Sequence, residues 1–163
     1  MNQYGTSFKK TSAGLLIAVV VVALAVAGCG GGGGGTSAST SSGPALRLAG
    51  LKPGKALVDA QGRTLYLFEA DKRDMSTCNG ACASLWPPAT VTGAAATGGA
   101  GLKADEIGTT RRSDGGRQLT YNGHPLYRYV ADRKPGDTKG QALNQFGAEW
   151  YVLSAGGSKI DND

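Results

Sequence analysis

The 163-residue sequence has few of the residues that build most catalytic and metal sites. Its single histidine is His124, and its three cysteines are Cys29, Cys78 and Cys82. A Ser/His or Cys/His pair would have only one imidazole to serve as its base. No second histidine and no pair of acids lies near His124 at a metal-ligand spacing, and the Gly-x-Ser-x-Gly motif of a nucleophile elbow is absent. We therefore predict a non-catalytic protein with no metal site and no cofactor.

Long apolar runs and concentrated charge are also scarce. The longest apolar run, Leu15 to Ala27, falls short of the roughly 20 residues that a transmembrane helix needs. The net charge is +5, and apart from Arg111 and Arg112 the basic residues are scattered along the chain. Nucleic-acid binding normally requires a concentrated basic surface. We therefore expect no nucleic-acid partner.

The N-terminal segment has the pattern of an export signal. Lys9 and Lys10 precede the apolar run, which ends in Val26-Ala-Gly-Cys29. A basic start, an apolar run of about 7–15 residues and a small-residue cleavage site predict a secretory signal peptide over residues 1–28. The last four residues resemble the lipobox of bacterial lipoproteins. That resemblance implies acylation of Cys29 and a lipid anchor on the extracytoplasmic side of the bacterial cell membrane. An uncleaved signal anchor is the alternative interpretation.

Composition divides the remaining chain into a tether, a domain and a tail. Residues 29–45 contain six consecutive glycines followed by serine and threonine, a composition that predicts a flexible tether. Residues 46–156 have ordinary composition and the size of one domain. Residues 157–163 are predicted to be a polar tail.

An internal repeat organises the predicted domain. The segment that begins at Gly62 recurs 61 positions later, at Gly123. Each copy contains the pattern Tyr-x-aromatic-x-x-Asp: Tyr66, Phe68 and Asp71 in the first, and Tyr127, Tyr129 and Asp132 in the second. A repeated supersecondary unit predicts two structurally similar halves related by pseudo-two-fold symmetry.

The alternation of side chains along a strand divides each motif into two faces. Tyr66 and Phe68 share one face, while Leu67 lies on the other, where the second copy has Arg128. Because the aromatic face keeps its character in both copies, we predict that it is buried and that the opposite face is more exposed. The alternative interpretation is that the aromatic face is a stacking platform for a ligand.

Turn signals and short apolar runs predict the other elements. Asn122-Gly123 predicts a type I′ hairpin turn, residues 131–147 a long loop, and the segment from Cys78 to Leu85 a short helical turn. The expected strands cover residues 46–51, 55–59, 64–69, 106–111, 117–121, 125–130 and 149–153. The predicted fold class is all-β, a small antiparallel sandwich or barrel built from two pseudo-symmetric repeats.

Cys78 and Cys82 remain once Cys29 is assigned to lipid. Two cysteines in an exported domain predict a disulfide. A redox-active dithiol is the alternative, and a ligand set that combines both thiolates with Met75 and His124 is a further one.

Three segments together carry a family resemblance. They are Leu65-Tyr-Leu-Phe-Glu-Ala-Asp71, Cys78-Asn-Gly-Ala-Cys82 with Trp86-Pro-Pro88, and Leu119-Thr-Tyr-Asn-Gly-His-Pro-Leu-Tyr127. The chain thereby resembles the bacterial lipoproteins known as secreted repeats of unknown function. The resemblance implies export, lipidation and the repeated fold. It implies no activity, because none is assigned to the family.

Three classes of function follow from these patterns. The first is a non-catalytic envelope module that binds a protein or a wall glycan, with Trp86, Trp150 and His124 as candidate ligand contacts. The second is a redox or metal/haem accessory module that uses Cys78 and Cys82. The third is a hydrolase that pairs carboxylates such as those of Glu69, Asp71 and Asp132. Against the third, an aspartate that follows a strand commonly accepts backbone N–H bonds from the next loop.

Overall fold

The computed structural model describes residues 45–93 and 96–161. The predicted signal peptide, the acylation site Cys29 and all of the predicted tether except Ala45 lie outside the described residues. Within the described ranges, no helix is both long enough and apolar enough to cross a bilayer.

The described chain is all-β with antiparallel pairing, as the sequence predicts. Its strands form three small sheets with the orders β1-β2, β3-β8-β7 and β4-β5-β6. The strands are β1 (Leu46–Leu51), β2 (Gly54–Asp59), β3 (Tyr66–Phe68), β4 (Ile107–Arg111), β5 (Arg117–Tyr121), β6 (His124–Pro125), β7 (Leu143–Gln145) and β8 (Ala148–Val152). A short helix, α1 (Ala81–Leu85), and a 3-10 turn (Ala104–Glu106) complete the described elements.

The hairpin predicted at Asn122-Gly123 is present. Tyr121 of β5 pairs directly with His124 of β6, which leaves two residues in the turn. Asn122 has φ 49° and Gly123 has φ 77°. Two positive φ angles are what a type I′ turn requires, and Asn-Gly tolerates them better than other pairs.

The described elements differ from the sequence-based prediction at the motif strands, at one edge strand and at the helical turn. The strands expected over residues 64–69 and 125–130 are observed only as the three-residue β3 and the two-residue β6. The segment Leu143–Gln145, expected within a loop, pairs with β8 as the edge strand β7. Its three residues are too few to show an alternating pattern. The helical turn begins later than expected, at Ala81, because Gly80 precedes it with φ 55°. A positive φ lies outside the helical region, so the helix cannot extend back through this glycine.

The motif strand β3 lies between two hydrophobic clusters. Leu67 belongs to one, with Leu57, Leu65, Leu119, Leu126, Tyr151 and Leu153. Tyr66 and Phe68 belong to the other, with Trp86, Tyr127, Trp150 and the two cysteines of the disulfide. The prediction that the Leu67 face is more exposed than the aromatic face fails for Leu67, which is 4% exposed, and holds for Arg128, whose side chain is 22% exposed. Alternation separates the two faces of a strand, but it cannot show that both are covered.

Candidate functional site

The two copies of the motif meet at their tyrosines. The backbone N–H of Tyr66 donates to the carbonyl of Tyr127 at 2.9 Å, and that of Tyr127 donates back at 3.0 Å. This antiparallel bridge places the pseudo-two-fold axis between the two residues. The internal repeat is therefore realised as two halves that face each other across the motif.

Each motif tyrosine donates its hydroxyl to the aspartate of the other copy. Tyr66 Oη lies 2.6 Å from Asp132 Oδ2, and Tyr127 Oη lies 2.6 Å from Asp71 Oδ2. The remaining oxygen of Asp71 accepts from the backbone and hydroxyl of Thr77, both at 2.7 Å. That of Asp132 accepts from the backbone of Lys139 at 2.9 Å. The expectation that these aspartates organise the loop that follows each motif is confirmed.

Burial dominates the electrostatics of these pairs. It raises the pKa of Asp71 and Asp132, although the hydrogen bonds from the tyrosines act in the opposite direction. Burial, together with the neighbouring carboxylates, raises the pKa of Tyr66 and Tyr127 well above the usual range. Both tyrosines therefore stay protonated at neutral pH and remain donors.

Four aromatic rings stack across the pseudo-two-fold axis in the order Phe68, Trp150, Trp86, Tyr129. The successive ring centroids are 4.1, 3.9 and 4.3 Å apart. Trp86 and Trp150 have no exposed surface, so a ligand on the surface of this structure does not reach them. Both indole N–H groups donate to Gln145 of β7, one to its side chain and one to its backbone. The tryptophans proposed from sequence as ligand contacts thus form the centre of the core.

The cysteines form the predicted disulfide. Cys78 and Cys82 are bonded and buried, with a Cα–Cα distance of 5.2 Å. In this state neither sulfur is a thiolate that could act as a nucleophile or a metal ligand. Arg112 holds the segment through hydrogen bonds to the carbonyl of Cys78 (2.9 Å), Ser76 Oγ (2.7 Å) and Gln118 Oε1 (2.8 Å). The side chain of Arg112 is itself buried. The sequence around it does not predict this burial.

Two open grooves flank the aromatic stack, one at each end. We call the first the cationic groove; it has a volume of about 440 Å³ and is lined by Arg63, Thr64, Pro87, Arg128, Tyr129, Val130, Asp132 and Arg133. The second, the sister groove, has a volume of about 370 Å³ and is lined by Leu67, Phe68, Glu69, Asp71, Asn122, His124, Gly157, Ser158 and Lys159. The 61-residue repeat relates the two linings to each other. Phe68 corresponds to Tyr129, Leu67 to Arg128, and His124 to Arg63.

A buried carboxylate fixes two arginines of the cationic groove. Asp59 Oδ2 accepts from Arg63 Nε at 2.8 Å and from Arg128 Nε at 2.7 Å. Its Oδ1 accepts the backbone N–H groups of Gln61 and Arg63. Burial acts to raise the pKa of Asp59, but the bonds from Arg128 and Arg63 outweigh it, and the pKa lies below its usual value. Asp59 is therefore ionised at neutral pH and holds two guanidinium groups side by side.

His124, the third candidate contact, is half-buried in the sister groove. Burial and the nearby charge of Arg73 lower its pKa, so its imidazole is neutral at pH 7. It lies in a different groove from Arg63 and Arg128. Sequence reasoning missed that arginine pair, because nothing in the spacing of residues 59, 63 and 128 shows that they meet.

Comparison with known families accounts for the repeat. Residues 51–90 and 108–154 each match the family described as a secreted repeat of unknown function. The two matches correspond to the two halves of the fold and together cover more than half of the chain. The chain belongs to this family, and its domain is an exported module. No curated protein and no solved structure was found to match it.

Proposed function

We propose that this protein is a lipid-anchored bacterial envelope lipoprotein whose β domain is a non-catalytic binding module. The lipobox at Val26–Cys29 and the basic, apolar N-terminus support the anchor. Membership of the secreted-repeat family supports export. The observation that carries the binding role is the cationic groove, an open cleft in which buried partners hold Arg63, Arg128 and the ring of Tyr129.

The use of the motif side chains favours binding over catalysis. Asp71 and Asp132, the carboxylates that a hydrolase would need, accept short hydrogen bonds from the motif tyrosines and from the following loops. The sulfurs that a redox module would need are buried and bonded to each other. The aspartates join the two halves and the disulfide closes a short loop within the first half, so the groove surface is left as the part available to a partner.

The anchor is tested at Cys29. We expect Cys29→Ser to leave the protein unprocessed or released from the membrane, because a serine cannot form the diacylglycerol thioether. Mass spectrometry of the membrane fraction measures this directly. A wild-type N-terminus that carries no acyl mass would contradict the proposed anchor.

The binding role is tested with the full-length protein and wall material purified from its own envelope. We expect the protein to sediment with this material, and high salt to release it, since exposed charges are screened at high ionic strength. Replacing Arg63 and Arg133 by Gln should lower the retained fraction. The matched control replaces two exposed lysines of the first hairpin, Lys52 and Lys55, and removes the same charge elsewhere. Equal losses for both variants would indicate nonspecific adhesion and contradict a groove.

A further inference from the structure

The two grooves differ most at three linked positions. Arg63 and Arg128 line the cationic groove, and the buried Asp59 holds them. Through the repeat, this charged triad of Asp59, Arg63 and Arg128 corresponds to Thr120, His124 and Leu67. The tyrosines and aspartates that join the halves across the motif recur in both copies, and Phe68 and Tyr129 are both aromatic. The repeat itself therefore does not require these charges, because the other copy has uncharged Thr120 and Leu67 and the single histidine at the equivalent positions.

The charged triad also lies where the fold could accept an apolar residue. The position of Arg128 is occupied in the first copy by Leu67, which is 4% exposed within a hydrophobic cluster. A buried ion pair usually adds little stability over well-packed apolar side chains, because both charges must be desolvated. The ion pair with Asp59 alone therefore does not account for an arginine at this position, whereas contact with an anionic partner outside the domain would.

Two of the arginines that line the groove retain donors that are not used by Asp59. Arg128 uses Nε on Asp59 and makes a long 3.4 Å contact from Nη1 to the carbonyl of Pro88. Arg63 uses Nε and Nη2 on Asp59. Within the part of the chain that the structure describes, Nη2 of Arg128 and Nη1 of Arg63 have no acceptor. A guanidinium carries five N–H donors in a planar fork that matches a carboxylate or a phosphate.

An aromatic surface lies beside these donors. One face of the Tyr129 ring stacks on Trp86, with 4.3 Å between centroids. Tyr129 is only partly buried and lines the groove, next to the exposed Arg133. A partly exposed tyrosine supplies a rigid apolar platform with a polar rim, at little conformational cost. The groove thereby combines oxyanion donors with a flat stacking surface.

From this combination we infer that the cationic groove binds an anionic saccharide. The sugar ring packs on the exposed side of Tyr129, and its carboxylate or phosphate accepts from Arg63, Arg128 and Arg133. A volume of about 440 Å³ falls within the range of small-molecule sites. This inference rests on the proposed binding role and specifies the ligand class of that site.

The probe is tetragalacturonate, and its fully methyl-esterified form serves as the control ligand with the same rings and no charge. Calorimetry on the full-length protein should show binding of the acid, with the ester at least about tenfold weaker, since charge-assisted bonds to arginine are lost. A sugar phosphate and inorganic phosphate are tested as competitors. If the sugar phosphate competes and inorganic phosphate does not, the site recognises both the sugar ring and the oxyanion. Equal competition by inorganic phosphate overturns the saccharide assignment.

Variants locate the site. Arg63→Gln should weaken binding about tenfold, whereas His124→Gln, at the corresponding position of the sister groove, should leave it unchanged. Tyr129→Ala should weaken binding several-fold, and Tyr129→Phe should retain it, because the ring face is what packs on the sugar. Equal affinity of Arg63→Gln and wild type overturns the inference.

Folding is controlled with a double variant. Arg128→Leu alone leaves Asp59 with one cation, so it is combined with Asp59→Thr. Both positions then carry the residues found at the equivalent positions of the other copy, Leu67 and Thr120. We expect this protein to keep a cooperative thermal transition and to lose the tetragalacturonate affinity. Retained affinity in a folded double variant overturns the assignment. If no anionic saccharide binds while wall material is still retained, the inference fails and the proposed function stands; if neither binds, both fail.

Discussion

At the residue scale, the tyrosine and aspartate of the repeated motif work as pairs that cross between the two halves. Tyr66 and Tyr127 each bring a hydroxyl to a carboxylate that is 66 or 56 positions away in the chain. The motif is thus a structural clamp, and each copy supplies half of two hydrogen bonds. The spacing of five residues from tyrosine to aspartate serves to turn the chain after the strand, so that the carboxylate faces the other copy.

Removing the tyrosine hydroxyls should destabilise the domain unequally. Hydrogen bonds to charged groups are worth about 1.5–3 kcal/mol. Tyr66→Phe should cost more than Tyr127→Phe, because it leaves Asp132 with one donor from Lys139, while Asp71 keeps two from Thr77. Urea unfolding measures both changes.

The control for these variants is Tyr129→Phe, since no hydrogen bond to its hydroxyl is present among the described residues. It should change the free energy of unfolding by less than about 0.5 kcal/mol. A loss in Tyr129→Phe as large as that in Tyr66→Phe would mean that the Tyr–Asp bonds are not the source of the effect.

The buried tyrosines should also make stability fall at alkaline pH. The pKa values of Tyr66 and Tyr127 are raised above 10.0, first by burial and then by the partner carboxylates. The unfolded chain therefore loses these protons near pH 10 while the folded chain keeps them, which favours unfolding. Their contribution is complete below about pH 10 and declines as the pH rises above it. Urea unfolding between about pH 8 and pH 11 should show this decline, with a shallower slope in Tyr66→Phe; identical slopes would contradict it.

At the element scale, the strand β3 is covered on both sides, and its aromatic neighbours are not equivalent. Phe68 is 4% exposed, whereas Tyr129, its counterpart in the second copy, is only partly buried and lines the cationic groove. The prediction that the four motif aromatics are largely buried is confirmed for Tyr66, Phe68 and Tyr127, while Tyr129 is partly buried against the same cluster. In the second copy, none of the described strands includes Tyr127 or Tyr129, and the ring of Tyr129 is only partly covered.

The loop that follows the second copy of the motif packs closely against the aromatic stack, and this packing depends on a glycine. A Cβ at Gly140 would lie 2.6 Å from Cη2 of Trp86 and 3.0 Å from Cε1 of Tyr66, both rings being fully buried. We expect Gly140→Ala to destabilise the domain by about 1–3 kcal/mol through overpacking. Gly50→Ala is the matched control, because a Cβ there meets nothing within 4 Å. Equal melting temperatures for the two variants would contradict this prediction, because they would show that the aromatic rings can move to accept the added methyl group.

At the scale of the whole molecule, the two halves form one core. The Trp86–Trp150 stack, the Tyr66–Tyr127 bridge and both Tyr–Asp bonds join one half to the other. A half on its own would expose its tryptophan and leave its tyrosine without a carboxylate. The pseudo-symmetry is therefore a condition for folding, and the grooves at the two ends are where the copies are free to differ.

We accordingly expect residues 45–93 and 96–161, produced as separate fragments, to be unfolded alone and to associate when mixed. The near-ultraviolet circular dichroism of the stacked indoles should appear only in the mixture. A first fragment that carries Trp86→Ala should fail to restore the signal. Either fragment showing cooperative unfolding by itself would contradict a shared core.

Much of the fold could be predicted because its signals are local. The Asn122-Gly123 turn, the strands β1 and β5 and the Cys78–Cys82 bond follow from neighbouring residues. The short strands around the motif and β7 could not be predicted, since they are fixed by pairing with distant segments. The candidate site was the least predictable part. The tryptophans considered as candidate ligand contacts are buried, and Arg128, placed by alternation on the more exposed face, is bound to Asp59.

The sequence by itself determined the export-signal pattern, the internal repeat, the all-β class and the aromatic face of the motif. Composition, periodicity and turn chemistry, on which these depend, act over a few residues. Only the tertiary structure decided which copy of the motif faces which aspartate, that both faces of β3 are covered, and that three arginines line one groove. These features join residues more than 50 positions apart, such as Asp59 and Arg128 at 2.7 Å. Such contacts depend on how the two halves close on each other, and no short stretch of sequence encodes that geometry.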